Sequence, residues 1–521
     1  MNLAKSLAGV GGLTLISRVL GLLRDSLFAR YVGAGFASDA FLLAFRLPNM
    51  FRSLFAEGAF ASAFIPLFNQ KAADPDGPGL KAGITFAEQA LSVLLPVLLA
   101  MTVLLEVLAW PITLALSGGF NGVTPAQFDF AVELSRLTIP YLGFISLTSL
   151  FGSVLNSMNK FWVNAAAPIL LNLTLIVALL AFHSHEQLMT ARNQAIGVSV
   201  SGALQLGWLM WACRANGVSM RLRLPVWNAD VKKLLALIWP AAAGAGAMQI
   251  NLVISNFLAA GFLAHGSVTY IYMADRLNQL PLGLIGIGLG TVLLPTISRQ
   301  LGAGQEADAM TTQNRGMELA LLLTLPACVA LVLCGRPIAA ALFGYGKFDP
   351  TDVTRTAQAL AAFSIGLPSY ILVKVLTPGF YARQDTKTPV RYAMISIGLN
   401  IALNLALIVP LQHMGPPLAT ALSSTVNVLM LYLTLVRRGH FQADARLRRR
   451  APRLAVAALL MGAALWFAQD WMMPYTHGTW LVRGLALAVL VGAGCVVYGL
   501  ATVLSGAFTR DDLALLRRRR A

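Results

Sequence analysis

Apolar stretches long enough to cross a bilayer alternate with short polar segments along the whole chain, and fourteen can be marked. They run over roughly 7–31, 37–68, 83–116, 128–156, 163–183, 192–213, 232–262, 268–298, 314–344, 356–382, 389–410, 415–436, 453–472 and 479–505. Each is 20 or more residues long, which as α-helix matches a hydrocarbon core about 30 Å thick. The pattern predicts an all-α polytopic membrane protein of fourteen transmembrane helices. A few stretches also carry charge. Arg18 and Arg24 lie in the first, SLAGVGGLTLISRVLGLLRDSLFARYVG, Arg46 and Arg52 in the second, and Arg276 in the eighth. A cation near the bilayer centre costs about 2.5–3.5 kcal/mol on insertion-based scales. Several on a common cavity imply an anionic ligand within the membrane.

The pattern repeats. Ser38 to Pro66 aligns with Ser267 to Pro295 at a constant shift of 229, with Phe41 against Tyr270. LNLTLIV (171–177) recurs as LNLALIV (403–409). The third stretch carries Glu88 and Pro96, the ninth Glu318 and Pro326. Chance similarity among leucine-rich helices explains one such match more easily than several in chain order. Stretches 1–6 and 7–12 therefore read as two pseudo-symmetric six-helix lobes of the same orientation, a common transporter plan. The lobes fall at 1–220 and 221–440, and 441–521 adds two C-terminal helices and a basic tail.

Composition and charge narrow the class. Of 521 residues, 57% are hydrophobic and 12% charged, against about 25% charged in soluble domains. Mean hydropathy is +0.69, and no polar segment is long enough for a sizeable soluble domain. The net charge of +17 does not indicate nucleic acid, because most Lys and Arg sit in alternate loops. One set of loops holds Lys71, Lys81, Lys160, Arg214, Arg221, Arg223, Lys232, Lys233, Arg299 and Arg383, the run from Arg437 to Arg453, and the terminal Arg517 to Arg520. The opposite loops, among them SGGFNGVTPAQFD, HSHEQ and QHMGPP, are nearly free of them. This is the positive-inside bias, and with fourteen spans it puts both termini in the cytoplasm. The first stretch has no small-residue cleavage site and reads as an uncleaved helix rather than a signal peptide. Cys213, Cys328, Cys334 and Cys495 lie in apolar segments without metal spacing and read as small packing residues, not a disulfide framework.

The candidate chemistry is cationic. Arg18 and Asp25 are seven apart and share a helix face, with Arg24 offset by about one step. Asp25 can partly neutralise an arginine and hold it extended, and Gly21 leaves room for a ligand or a helix. In RLPNMFRSLFAEGAF, Pro48 predicts a mid-span kink flanked by Arg46, Arg52 and Glu57. YMADRLNQLPLG puts Asp275 and Arg276 at the related place in the second half. Arg46 and Asp275 either pair structurally or line the cavity; Arg52 and Glu57 lie within it or at its cytoplasmic mouth. Lys374 lines the cavity or packs. Asn400 and Asn404, four apart on one face, read as interhelical hydrogen bonders. The series Gly283, Gly286, Gly288 and Gly290 lacks the strand and Lys of a phosphate loop and reads as close helix packing or flexibility. The six histidines make no metal set, and no nucleophilic or paired-carboxylate constellation can be located.

SRVLGLLRD, SDAFLLAFRLPNMFRSLFAEGAFASAFIPLF, YMADRLNQLPLGLIGIGLGTVLLP and VKVLTPGFYARQDTKTPV resemble the bacterial lipid II flippase MurJ (MviN) family, over essentially the full chain. That family belongs to the multidrug/oligosaccharidyl-lipid/polysaccharide (MOP) exporter superfamily. The resemblance implies fourteen helices, a central cationic cavity between two lobes, and a groove on the last two helices for an undecaprenyl tail. It puts the family's essential arginines on Arg18, Arg24, Arg52 and Arg276, the adjoining acid on Asp25 and a further functionally sensitive acid on Asp39. It implies a monomer in the bacterial cytoplasmic (inner) membrane. It further implies lipid II as substrate, membrane lipids as surroundings, and cell-wall synthesis proteins as admissible partners. No cofactor is expected. Some relatives use a bound sodium ion, so sodium coupling stays open here; its ligands are not assigned on this chain, the metal is unknown, and the membrane potential is the expected drive. A drug exporter of the same superfamily would need an acidic cavity for cations. A membrane glycosyltransferase would need catalytic acids or a metal site, and the lobe duplication disfavours a channel.

Overall fold

The computed structural model describes residues 3–56, 59–73 and 79–507. Glu57 and the terminal Arg517 to Arg520 lie outside the described residues. The described residues are helical with no strand, and the chain forms two compact units, Met1–Thr269 and Tyr270–Ala521.

In the first unit, α1 (Leu3–Val32) packs along α8 (Phe161–Ala181), and α2 (Phe36–Ala56) packs on α6 (Pro125–Thr138), α7 (Pro140–Ser157) and α9 (Gln187–Ala215). Helix α3 (Ala59–Ala72) lies against α4 (Leu80–Val107) and α7. Phe60, Phe64 and Phe68 recur every fourth residue, the spacing that keeps side chains on one helix face. Their rings pack in sequence at 5.3 and 5.8 Å, and Phe64 meets Phe86 of α4 at 5.4 Å. Helix α5 (Ala109–Ser117) and α3 both receive α10 (Ala229–Phe262).

The second unit takes up the chain inside α11 (Ser267–Gly302) and continues through α12 (Glu306–Leu333), α13 (Gly335–Phe343), α14 (Pro350–Ile365), α15 (Leu367–Tyr381), α16 (Lys387–Leu411) and α17 (Gly415–Arg437). Its core joins Ile285 and Leu293 of α11 to Ile371, Val375, Leu431 and Leu435. Helix α18 (Ala445–Met472) packs on α12 and on α19 (Trp480–Leu504).

The helix order supports the internal repeat. Helices starting at Leu80, Ala109, Pro125, Pro140, Phe161 and Gln187 are followed in the same order by helices starting at Glu306, Gly335, Pro350, Leu367, Lys387 and Gly415. Even the left-handed residues recur: Asn159 (φ 62°) and Gln384 (φ 61°) precede α8 and α16. Each expected apolar stretch coincides with one helix or two consecutive ones. Among the described residues, ten helical segments are long and apolar enough to cross a bilayer; one of them, Lys387–Arg437, joins α16 and α17.

Two details depart from the expectation. Several stretches are broken, at Leu108, Ile139, Cys334 and Gly366. Each break lies one to three residues before a proline, Pro111, Pro140, Pro337 or Pro368. Proline lacks the N–H that would bond the preceding turn and disfavours helix at the residue before it. Pro48, by contrast, stands within a continuous α2. The second detail is α10. The repeat makes it the counterpart of α1 at the head of the second half, but its Leu234 enters the first unit's core with Phe64 and Leu209.

Candidate functional site

Arg24 is a buried cation within the first span. It is 8% exposed, and Asp25 beside it 3%. Its Nε and Nη2 donate to Asp25 Oδ1 at 3.0 and 2.6 Å, and its Nη1 donates to Asn172 Oδ1 on α8 at 3.2 Å. Asn172 is itself held, donating from Nδ2 to the Ser17 carbonyl at 2.9 Å. A Cβ on Gly21 would stand 3.8 Å from the Asn172 amide, so this glycine gives room to the neighbouring helix. The acid and the amide together fix the plane of the guanidinium. Helical spacing puts Asp25 on the face of Arg18; the contact the structure makes is with Arg24, because the side chain of the adjacent residue can fold onto it.

The other expected residues have different surroundings. Arg18 is exposed on α1, next to exposed Leu15 and Val19. Arg52, half-buried, donates from Nε to Asn49 Oδ1 at 2.9 Å. Arg276, half-buried on α11, donates from Nη2 to the Tyr272 hydroxyl at 2.9 Å, and its Cζ stands 4.8 Å from that ring's centroid. The ring thus offers both an acceptor and a π face to the cation. Asp275 accepts from Gln279 Nε2 at 2.5 Å. Lys374 lies over α11, its Nζ 2.7 Å from where a Cβ on Gly286 would be. Within that glycine series, Gly286 is closely approached, while Gly288 and Gly290 have open space.

Asp39 is 2% exposed and holds the start of α11. Its Oδ2 accepts from the Gly266 N–H at 2.7 Å, and its Oδ1 accepts from the Thr269 N–H and hydroxyl at 2.9 and 2.7 Å. A carboxylate at a helix N-terminus satisfies open N–H groups and opposes the helix dipole. Asp39 therefore fixes the beginning of the helix that later carries Arg276. Asn400 donates to Thr420 and Ser423 of α17 at 3.3 and 3.4 Å, the expected interhelical role. Among the described residues no three His, Cys, Asp or Glu stand together as a metal site.

Reading the sequence missed Asn172 as a partner of Arg24. The signal was present, since Asn172 occupies the position in LNLTLIV that Asn404 occupies in LNLALIV. Glu88 and Glu318, which served as markers of the repeat, prove to be buried centres of ion pairing.

Comparison with known proteins places the chain in a family. The model of "Lipid II flippase MurJ" matches residues 28–488. A "Probable lipid II flippase MurJ" of Rhizobium meliloti (strain 1021) is 39% identical over 525 residues, covering 99% of this chain and 96% of the relative. The solved structure of a lipid II flippase MurJ in an inward closed conformation superposes with TM-score 0.77 at 23% identity, covering 95% of this chain and 98% of that one. An inward-facing multidrug resistance MATE family transporter of the MOP superfamily follows at TM-score 0.63 and 17% identity, covering 81% and 94%.

Proposed function

The chain belongs to the lipid II flippase MurJ family of the MOP superfamily, and on that footing we propose that it carries lipid II from the cytoplasmic to the outer leaflet by alternating access. It is a multi-pass membrane transporter, not an enzyme. The headgroup is a disaccharide pentapeptide on a pyrophosphate, so the site must recognise phosphate. Arginine suits that task because its planar fork donates paired hydrogen bonds. Arg24 and Arg276 grip the pyrophosphate, Arg18 and Arg52 support them, Asp25 orients Arg24, and Asp39 positions the start of α11. The apolar faces of α18 and α19, with Leu459, Phe467 and Leu485 exposed, receive the undecaprenyl tail. Both termini are cytoplasmic, as the basic loops require.

The observation that carries this reading is the buried guanidinium of Arg24, held in one plane by Asp25 and Asn172. A donor set already oriented loses little freedom when the phosphate arrives. The membrane potential supplies the drive, about 2.3 kcal/mol per charge per 100 mV. With the interior negative, either the outgoing anion or the returning cationic site moves downhill.

The test is reconstitution into vesicles with labelled lipid II and an imposed voltage. Arg24→Gln and Arg276→Gln abolish flipping while leaving the folded protein intact, and Arg24→Lys does not rescue, because an ammonium cannot replace the fork. Collapsing the voltage slows turnover. Normal flipping by Arg24→Ala removes that residue from the site. Tighter binding of cationic dyes than of lipid pyrophosphates overturns the substrate class.

A further inference from the structure

Two buried glutamates stand at equivalent places in the two halves, and each holds the segment by which the chain leaves its half. In the first unit Glu88 of α4, 4% exposed, accepts from the Arg221 N–H at 2.9 Å and pairs with Arg223 Nε at 2.5 Å. Its neighbour Gln89 accepts from Asn228 Nδ2 at 2.9 Å, and Asn228 caps α10 by accepting from the Val231 N–H at 2.9 Å. In the second unit Glu318 of α12, 7% exposed, pairs with Arg446 Nε at 3.2 Å, with Arg450 of α18, and with Arg315 of its own helix. Arg315 also pairs with Asp444, which caps α18 by accepting from the Leu447 N–H at 2.7 Å. In both halves, then, the residue that caps the next helix is tied to the third span beside the glutamate.

Burying a carboxylate costs more than a single pair returns unless the geometry is good. Here that cost is met twice, at repeat-related positions, each time on the segment that follows a half. Apolar anchors flank both: Val218 and Leu234 enter the core of the first unit, Phe441 and Leu447 that of the second. We infer that Glu88 and Glu318 are paired positioning residues of the transport cycle, each clamping the exit segment so that the following helix, α10 or α18, travels with the half that precedes it. Their part in transport rests on the flippase reading; the clamping itself does not. The division of the chain at Thr269 rather than near residue 220 accords with the first clamp.

The test uses the full chain in lipid vesicles, with hydrogen exchange read separately from flipping of labelled lipid II. Glu88→Gln and Glu318→Gln each speed exchange in their own exit segment, around 218–228 or 438–446. Each slows flipping about tenfold with less than about twofold change in lipid II binding, the scale of a coupling residue. Gln89→Cys with Asn228→Cys, in a chain whose native cysteines are replaced by serine, is then bridged by a short thiol cross-linker. The bridge restores flipping to Glu88→Gln and leaves the otherwise native chain active, which a purely stabilising contact would not require. Faster exchange with unchanged flipping overturns the proposal, as does a bridge that stops the native chain. Should Glu88→Gln fail to fold, Arg223→Gln breaks the same pair from its half-exposed side. A wild-type chain that does not flip lipid II sinks the flippase reading, while the exchange measurements still judge the clamp.

Discussion

Asn172 and Asn404 occupy the same position in two copies of one motif, and each bonds a polar neighbour. Asn172 of α8 reaches across to α1, accepting from Arg24 and donating to Ser17. Asn404 of α16 donates to the carbonyl and side chain of Asn400, one turn earlier. The glutamate clamps diverge. Glu88 meets one arginine side chain, half in water, and one backbone N–H, whereas Glu318 meets three arginines. A duplicated scaffold thus keeps its polar positions while their partners drift, and the half with more cations depends more on its acid.

The largest expected effect tests that dependence. Glu318→Gln leaves Arg450, a buried arginine, beside Arg315 and Arg446 without their shared carboxylate. Removing one partner of a buried pair costs about 3–5 kcal/mol, and the lower end applies because Arg315 and Arg446 keep part of their water. Glu88→Gln costs about 1–2 kcal/mol, since Arg223 is half exposed and the backbone N–H can still bond the amide. Thermal midpoints of the two variants in the same detergent give the order, and equal shifts would end the distinction. A double-mutant cycle sharpens it: the Glu318–Arg450 coupling exceeds about 1 kcal/mol and the Glu88–Arg223 coupling falls below that.

The asparagine pair separates function from stability. Asn172→Leu removes the acceptor that fixes Arg24 and lowers flipping about tenfold, the equivalent of one hydrogen bond to a charged group. Asn404→Leu removes the hydrogen bonds to Asn400, which is outside the proposed arginine set, so it changes stability by about 1 kcal/mol and lowers flipping less than Asn172→Leu does. Flipping rates and melting midpoints on both variants decide; equal loss of flipping would show that the two positions act alike.

The sequence revealed much of the scaffold and less of the wiring. Helix positions were legible because apolarity over 20 or more residues dominates every local preference. The breaks at Leu108 and Cys334 were not, since Pro111 and Pro337 interrupt the helix without interrupting its hydrophobic pattern. Arg24 and Arg276 stood out as charge within apolar helices, but Asp25's choice of Arg24 depends on side-chain geometry that a helical wheel does not contain. Apart from Arg315 of the same helix, the partners of Glu88 and Glu318 come from segments more than a hundred residues downstream. Such pairing is set by tertiary packing, and periodicity within one helix carries no trace of it.

The smallest effect expected concerns pH, and it sets a control for the clamps. In the loop between α15 and α16, Asp385 accepts from Thr388 and pairs with Arg438 at 2.7 Å. The Thr388 hydrogen bonds and then the Arg438 guanidinium hold its carboxyl down at about 2, below the ordinary 3.8. A carboxyl lowered on folding contributes stability that is fully present above its unfolded value and is lost as pH falls through the folded one. Asp385→Asn therefore carries the same small penalty at pH 5 as at pH 8, and that penalty shrinks only below about pH 4. Melting midpoints of wild type and Asp385→Asn across that range test the sign. A penalty that changed between pH 8 and pH 5 would mean that some other group titrates with this loop, and stability comparisons between Glu318→Gln and Glu88→Gln would then have to be made at one fixed pH.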